Sequence, residues 1–334
     1  MGRPAEVGVV GQRKQRMIND GAADRGSAWS SEKVAGLVSL RSLLDNWDFR
    51  NPVNQRGQRE YMCAGAAGWT YGVDRWRASR TCVSLQSGFI KLTAGDIDGY
   101  KRFQQPLENP LALLPGKTYT VSMIARVNSI TGSWAELRAS SGLNGAAFYL
   151  GHTPGAAIAL APTKDFQLFT QTFTLPPGHS HFALEILGNT SASFDIDIQA
   201  MKLEPGAVPT ILNDPPMDFG LELLKCQRHQ IGLLPSISAA STGTASRALR
   251  HTPQFIYFLV PLPAALRISP TVADIDNAFL VRGAGSAGGA LQPGFSFSVH
   301  QRGYGLFVSA EKNGHGLADA VLHVRGRTIL DANL

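Results

Sequence analysis

The sequence predicts a mainly β protein built on an antiparallel β-sandwich, and three observations predict it. Apolar and polar residues alternate in segment after segment between 81 and 204. Period two is the mark of a strand with one face in a core and the other in water. Turns such as LLPGKT (113–118) and LPPGHS (175–180) separate those segments. The composition agrees: 35 Gly, 19 Pro and only 17% charged residues in 334 suit short strands and tight turns better than long charged helices.

The strands follow from their phase. TYTVSMIARV (118–127) puts Tyr119, Val121, Met123, Ala125 and Val127 on one face, with Thr118, Thr120, Ser122 and Arg126 on the other. FTQTFTL gives Phe169, Gln171, Phe173 and Leu175 against three threonines. HFALEIL gives Phe182, Leu184 and Ile186, and FDIDIQAMKLE gives Phe194, Ile196 and Ile198 against Asp195, Asp197 and Gln199. Strands return from 251 to 334 in QFIYFLV, GFSFSVH, GLFVSAE and AVLHVRGRTIL. The first is apolar on both faces, so it is expected at the centre of a sheet or at a subunit contact.

Two short helices are expected. In WSSEKVAGLVSLRSLL (29–44), Ser30 caps, Trp29 staples onto Val34, and Val34, Leu37, Val38 and Leu40 or Arg41 form a stripe. In DFGLELLKCQRH (218–229), Asp218 caps a largely apolar turn series that ends in basic residues. Neither is long enough to stand alone in water, and both want a neighbour. Before the second, PGAVPTILNDPPM (205–217) carries four prolines and reads as an extended linker.

Composition also limits function. A charge of +6 invites nucleic acid, but the basic residues are scattered and no nucleic-acid motif is present. Three cysteines without a CxxC give neither a disulfide scaffold nor a thiolate metal site. Cys63 and Cys82 have the option of pairing; the simpler expectation is three reduced thiols. The N-terminus has no apolar signal core, and the dozen residues of FIYFLVPLPAAL hold two prolines, so membrane insertion is not expected.

No catalytic motif is present, neither G-x-S-x-G, H-E-x-x-H nor a phosphate-cradling glycine loop. Asp195 and Asp197, about 7 Å apart along a strand, have the spacing of a glycosidase pair but are expected simply to keep that face soluble. His179 and His181 lack a third metal ligand and read as turn histidines. The aromatics that break the pattern carry more. Trp134 shares a face with Glu136 and Arg138, and Tyr149 lies opposite Phe148 and Leu150. An aromatic on a polar face stacks on the C–H face of a sugar while its neighbours take the hydroxyls. Trp134, Tyr149, Trp69 and Tyr71 are the candidate carbohydrate-binding residues. Trp47, Trp69, Tyr71 and Trp76 could all stack in this way, but their crowding near the first strands reads first as core and rim packing.

Four motifs then occur in order: LLDNWDFRNPVNQRG (43–57), YGVDRW (71–76), KLEPGAVPTILNDPP (202–216) and ELLKCQRH (222–229). Together they resemble the tail-fibre and spike proteins of phages and prophages, with His229 where that family usually has Tyr. INDGAADRGSAWSSEKV (18–34) is similar to the helix-forming linkers that precede such domains, and VPLPAALRISPTV (260–272) and the closing ILDANL to the family's last domain. The resemblance implies a jelly-roll domain like those of carbohydrate-binding modules, then a helix, then a smaller β-domain, in a homotrimer on the virion. It carries over no catalytic residue and no defined sugar contact.

The expected organisation is an N-terminal arm and helix over 1–41, a jelly roll over 42–206, a Pro-rich linker and helix over 207–230, and a C-terminal β-domain over 231–334. In the opening motif Leu44, Trp47 and Phe49 point inward and NPVNQRG turns. The expected function is a non-enzymatic virion adhesin, assembled in the bacterial cytoplasm, that binds host surface polysaccharide. The arm docks on tail or head proteins. The alternatives are a connector or decoration protein without ligand, and a capsule depolymerase. No cofactor is expected beyond a structural calcium, for which Asp45, Asp48, Asp96 and Asp98 are loop candidates.

Overall fold

The computed structural model describes residues 40–331, apart from 62–67, 96–97, 108–112, 144–156, 176, 234–244, 252–254, 267–269, 273–278, 284–290, 293–295, 303, 312–319 and 325–327. Tyr149, Asp96, Cys63 and the first helix up to 39 lie outside the described residues.

Among the described residues, twelve strands make the sandwich: β1 (Glu60–Tyr61), β2 (Thr70–Tyr71), β3 (Arg77–Ser79), β4 (Cys82–Gln86), β5 (Phe89–Ala94), β6 (Lys101–Pro106), β7 (Thr118–Thr131), β8 (Ala135–Leu143), β9 (Ile158–Ala159), β10 (Gln167–Thr174), β11 (His179–Gly188) and β12 (Ser193–Pro205). They form two six-stranded sheets, β1-β4-β5-β12-β7-β10 and β2-β3-β6-β11-β8-β9. Their pairings are antiparallel. This is the antiparallel sandwich that the alternation predicts, with the jelly-roll character that the resemblance implies. One helix follows, α1 (Phe219–Gln227), its Asp218 cap accepting from the Leu221 amide at 3.1 Å. The smaller C-terminal part holds β13 (Gln230–Leu233), β14 (Ala245–His251), β15 (Phe255–Pro261), β16 (Thr271–Val272), β17 (Phe279–Gly283), β18 (Leu291–Gln292), β19 (Ser296–Arg302), β20 (Gly305–Glu311), β21 (Ala320–Val324) and β22 (Thr328–Asp331). They pair as β13-β22-β16 and β18-β17-β21-β14-β15-β20-β19, which puts the doubly apolar strand β15 inside its sheet.

The predicted inward faces are buried, but so are Thr120, Ser122 and Asp197, which the alternation assigns to the outer face. Val121, Met123, Ala125 and Val127 from the first sheet meet Phe182, Leu184 and Ile186 from the second in one core. Leu44, Trp47 and Phe49 join them. Phe103 and Trp76 stack at 4.9 Å, with Phe49 edge-on to both.

Residues 40–44 are not helical, contrary to expectation. They lead into an irregular strand along β12: Leu43 N donates to Leu203 O (2.8 Å), Met201 N to Trp47 O (2.9 Å) and Phe49 N to Gln199 O (2.8 Å). Burial of Leu44, Trp47 and Phe49 on one side outweighs a weak helix propensity.

The motifs that carry the resemblance converge in space. Asn46, at a positive φ that Asn tolerates, donates to Val53 O (2.9 Å) and Asp74 O (2.8 Å) and accepts from Val53 N (2.7 Å). Its carbonyl accepts from the Trp76 indole (3.0 Å) and its amide donates to Glu222 on α1 (2.8 Å). Gln55 bridges Asp74 (2.7 Å) and Gln230 O (2.9 Å), and Gln230 donates back to Asp74. The proline-rich stretch is strapped down as well. Lys202, fully buried, holds Glu204 (3.2 Å), Thr210 (2.7 Å) and Asp214 (2.8 Å), and Leu40 N donates to Thr210 Oγ1 (3.2 Å).

Cys82 is disulfide-bonded, which corrects the expectation of three reduced thiols. Cys226 is a free thiol, its acidity suppressed first by burial and then by the nearby Asp74 and Asp45.

Trp76→Ala removes a fully buried indole and its bond to Asn46. The expected loss is about 3–5 kcal/mol of unfolding free energy by urea titration. A loss under about 1 kcal/mol contradicts the packing described.

Candidate functional site

The second sheet has a polar outer face, and strand phase explains it. In β6 Phe103 points into the core, so Arg102 and Gln104 point out. In β11 Leu184 and Ile186 point in, so Glu185 points out, and in β8 Leu137 sends Glu136 and Arg138 out. Register aligns them. Tyr71, Arg77, Gln104, Glu185 and Arg138 form one row across five strands, about 19 Å long at the usual strand spacing. Ser79, Arg102, Leu187 and Glu136 form the next.

Glu185 is the hub of this face and is fully buried. Its Oε1 accepts from Arg138 Nε (2.8 Å) and from the Ser140 hydroxyl. Gln104, its amide assigned from its neighbours, donates to Glu185 Oε2 (3.2 Å) and accepts from Arg77 Nη2 (2.7 Å) and Nε (2.8 Å). Arg102 Nη1 lies 4.0 Å from Glu185 Oε2. Arg138 Nη1 also reaches Glu136 at 3.5 Å.

Aromatics frame this floor. Arg77 lies over the Trp69 ring at 4.4 Å, and Arg102 over Tyr100 at 5.9 Å. Trp69, Tyr100 and Trp134 are exposed by 39%, 46% and 42%. These are the large aromatic faces available for stacking beside the charged row. Trp134 ends the β7–β8 turn two residues before Glu136, and its carbonyl accepts from Asn189 N (3.0 Å), which extends the β8–β11 pairing by one residue. Tyr71 is half-buried, with Arg56 over its ring at 5.3 Å. Trp69, Tyr71 and Trp134 therefore border one face. Tyr100, Arg77, Arg102, Gln104 and Glu185 were not expected there; the parity of KRFQQP about Phe103 was the signal that pointed to Arg102 and Gln104.

Burial tunes the charges. Desolvation pushes the Glu136 carboxyl above its ordinary range, with Glu185 adding to it against Arg138. Desolvation lowers Arg77 and Arg102, partly offset by Tyr71 and Glu185 respectively.

The other candidates are accounted for by position. Asp197 is not on a solvated face: it is buried, and Arg126 (2.6 Å) and Lys91 (3.2 Å) pair with it. Asp195 takes Lys91 at 2.7 Å. Each acid is thus neutralised within its sheet, which does not fit a glycosidase pair. His179 and His181 open β11 around a register shift. Asp45 pairs with Arg75 (3.1 Å) and Asp48 with Arg50 (2.7 Å), so neither offers the cation-free oxygen set that calcium takes. Among the described residues no three His, Cys, Asp or Glu side chains gather as metal ligands, and no helix is long and apolar enough to cross a membrane.

No family model and no curated protein matches the chain. Among solved structures it is similar to the enzymatically active domain of tailspike protein 4 of bacteriophage CBA120, at 12% identity over 49% of this chain and a TM-score of 0.32. The chain spans 21% of that structure's length. It is also similar to a xylan-binding domain from Paenibacillus barcinonensis, at 12% identity over 49% of this chain and 100% of that one, TM-score 0.33. A family 29 carbohydrate-binding module from Piromyces equi gives 11% identity, 42% and 88% coverage and a TM-score of 0.30. Such distant likenesses carry no argument about ligand or activity; the sandwich stands on its own strand pairing.

Two outcomes follow from the charges. Glu185→Gln leaves three arginines around a neutral amide and is expected to cost about 3–5 kcal/mol in chemical denaturation; an unchanged midpoint refutes the hub. Burial raises the Asp197 carboxyl, but hydrogen bonds from Asn128, Arg126 and Lys91 outweigh it and hold it below its ordinary 3.8. A depressed acid stabilises the fold above its unfolded pKa and loses that contribution as pH falls through the folded value. Thermal midpoints are therefore expected to fall below about pH 4, and the fall to be shallower in Asp197→Asn. Equal slopes for the two proteins contradict this reading.

Proposed function

We propose that this chain is a non-enzymatic polysaccharide-binding protein whose sandwich engages glycan on the outer face of the second sheet. The carrying observation is the row from Tyr71 to Arg138 with Trp69, Tyr100 and Trp134 beside it. Aromatic faces meet the C–H side of sugar rings, and the partly exposed Arg77, Glu136 and Arg138 between them suit hydroxyls. The non-enzymatic reading is supported by the full burial of Glu185 beneath its own partners, which leaves it no access to an anomeric carbon.

The setting is a virion adhesin, a tail fibre or head spike, attached through residues 1–41. Support for it is the order of the four motifs. A homotrimer is the matching assembly. Helix α1 turns Glu222 and Cys226 inward and leaves Phe219, Leu221 and Leu224 exposed by 41%, 52% and 52%, apolar surface that copies of the chain would cover. Multivalency then compensates for weak single sites.

Affinity electrophoresis through host surface polysaccharide tests the reading. The protein is expected to be retarded, and Trp69→Ala to lose about tenfold in affinity. Equal retardation of both proteins removes this face from binding, and shortening of the polysaccharide favours the depolymerase. Light scattering is expected to give three times the 35.8 kDa chain mass; a monomer contradicts the trimer.

A further inference from the structure

Trp69, Tyr100 and Trp134 stand at matching places in the second sheet. Each comes one residue before a strand, β2, β6 and β8 in turn. The sheet is antiparallel with the order β2-β3-β6-β11-β8, so these three strands run the same way and start at one end of the sheet. Tyr100 is two residues before Arg102 and Trp134 two before Glu136, so strand parity puts both on the outer face. Arg102 over the Tyr100 ring and Arg77 over the Trp69 ring place those two on the same side. Register sets the spacing. Gly188 pairs with Lys101 on one side and with Ala135 on the other. One residue on, Asn189 falls between Tyr100 and Trp134 and donates to the Trp134 carbonyl at 3.0 Å. Tyr100 and Trp134 are thus two strand spacings apart, about 9.5 Å. Trp69 is two strands beyond Tyr100 and one row, about 7 Å, nearer the middle of the sheet.

The outward residues of the neighbouring row, Ser79, Arg102 and Leu187, are buried, so a ligand crossing this end of the sheet rests on the exposed rings. One sugar covers one ring, and rings spread over five strands call for a chain. In a straight glycan with two sugars per turn, every second sugar offers the same C–H face in the same direction. Its repeat is two sugar lengths, which matches the two-strand separation of Tyr100 and Trp134. A backbone coiled into a wide helix turns successive faces away from a row of rings. Resting on the polysaccharide reading above, we infer that the ligand is a straight, ribbon-like stretch of glycan backbone that runs across the strands, with alternate sugars stacked on Trp134 and Tyr100 and the chain continuing to Trp69. Asn189, held by Ser133 Oγ at 2.9 Å, lies beneath the sugar between the first two rings.

The test is calorimetric titration of the full-length protein with short and long members of four ribbon-forming backbones: cellobiose and cellohexaose, xylobiose and xylohexaose, mannobiose and mannohexaose, chitobiose and chitohexaose. Maltohexaose, whose backbone coils, controls for length without straightness. At least one ribbon hexamer is expected to bind about tenfold tighter than both its dimer and maltohexaose. Tyr100→Ala and Trp134→Ala are each expected to lose most of that gain, with circular dichroism reporting that the variants are folded. Should either fail to fold, the comparison of hexamer with dimer on the unaltered protein still decides. A hexamer no tighter than its dimer, or matched by maltohexaose, overturns the ribbon, and loss of that binding in Trp69→Ala leaves the glycan face standing. Binding to none of the hexamers also overturns the ribbon, and the face then stands only if host polysaccharide retards the protein and Trp69→Ala removes the retardation. Neither hexamer binding nor retardation overturns both.

Discussion

A carboxylate with no access to water sets the terms for this molecule's candidate site. Glu185 lies at the centre of the second sheet's outer face, and a buried charge persists only where cations and hydrogen bonds surround it. Arg138, Ser140 and Gln104 supply the bonds, and Arg102 adds charge from a distance. Each partner is thereby fixed in rotamer and direction. The result is a stiff polar floor, not a fringe of mobile side chains. Stiffness matters for glycans, because binding then orders few protein groups. The aromatics at its border are presented by strands whose positions the same row of side chains helps to hold.

That floor continues into a corner that fixes where its edge strand begins. Asn46 satisfies the turn at Val53, the Asp74 loop and the Trp76 indole together. Arg75, at a φ of 72° that costs a non-glycine residue energy, is tied by Asp45 at 3.1 Å. Strand β3 leaves this corner directly after Trp76, so the corner sets where Arg77 and Trp69 meet. The same asparagine binds Glu222, and Gln55 binds Gln230, which connects the sandwich to α1 and the start of β13. The motifs that suggest a virion family are therefore structural in their chemistry. They build the joint between the parts, and Tyr71 among them also enters the charged row.

Much of the fold was legible because phase is a local property. Strands β7, β10, β11 and β12 announced their inward residues, and Asp218 announced a cap. Residues 40–44 misled because Leu40 and Leu44 have helical spacing, while the core that claims Leu44 comes from β12, some 150 residues on. The aromatics Trp134, Trp69 and Tyr71 stood out as exceptions to alternation. The charged row did not. Arg77, Gln104, Glu185 and Arg138 are far apart in sequence, and only strand order and register bring them side by side. Asp197 was misjudged for a related reason: an acid opposite Lys91 and Arg126 is paired, and cross-strand partners cannot be read from one strand.

Side-chain NMR tests the central claim most directly: the indole resonances of the tryptophans and the guanidinium resonances of the arginines, followed while host surface polysaccharide is added. The account predicts that Trp69, Trp134 and Arg77 shift together and saturably, while Arg126 on the opposite sheet stays still. Shifts at Arg126 or in the C-terminal strands, with Trp69 and Arg77 unmoved, would contradict it.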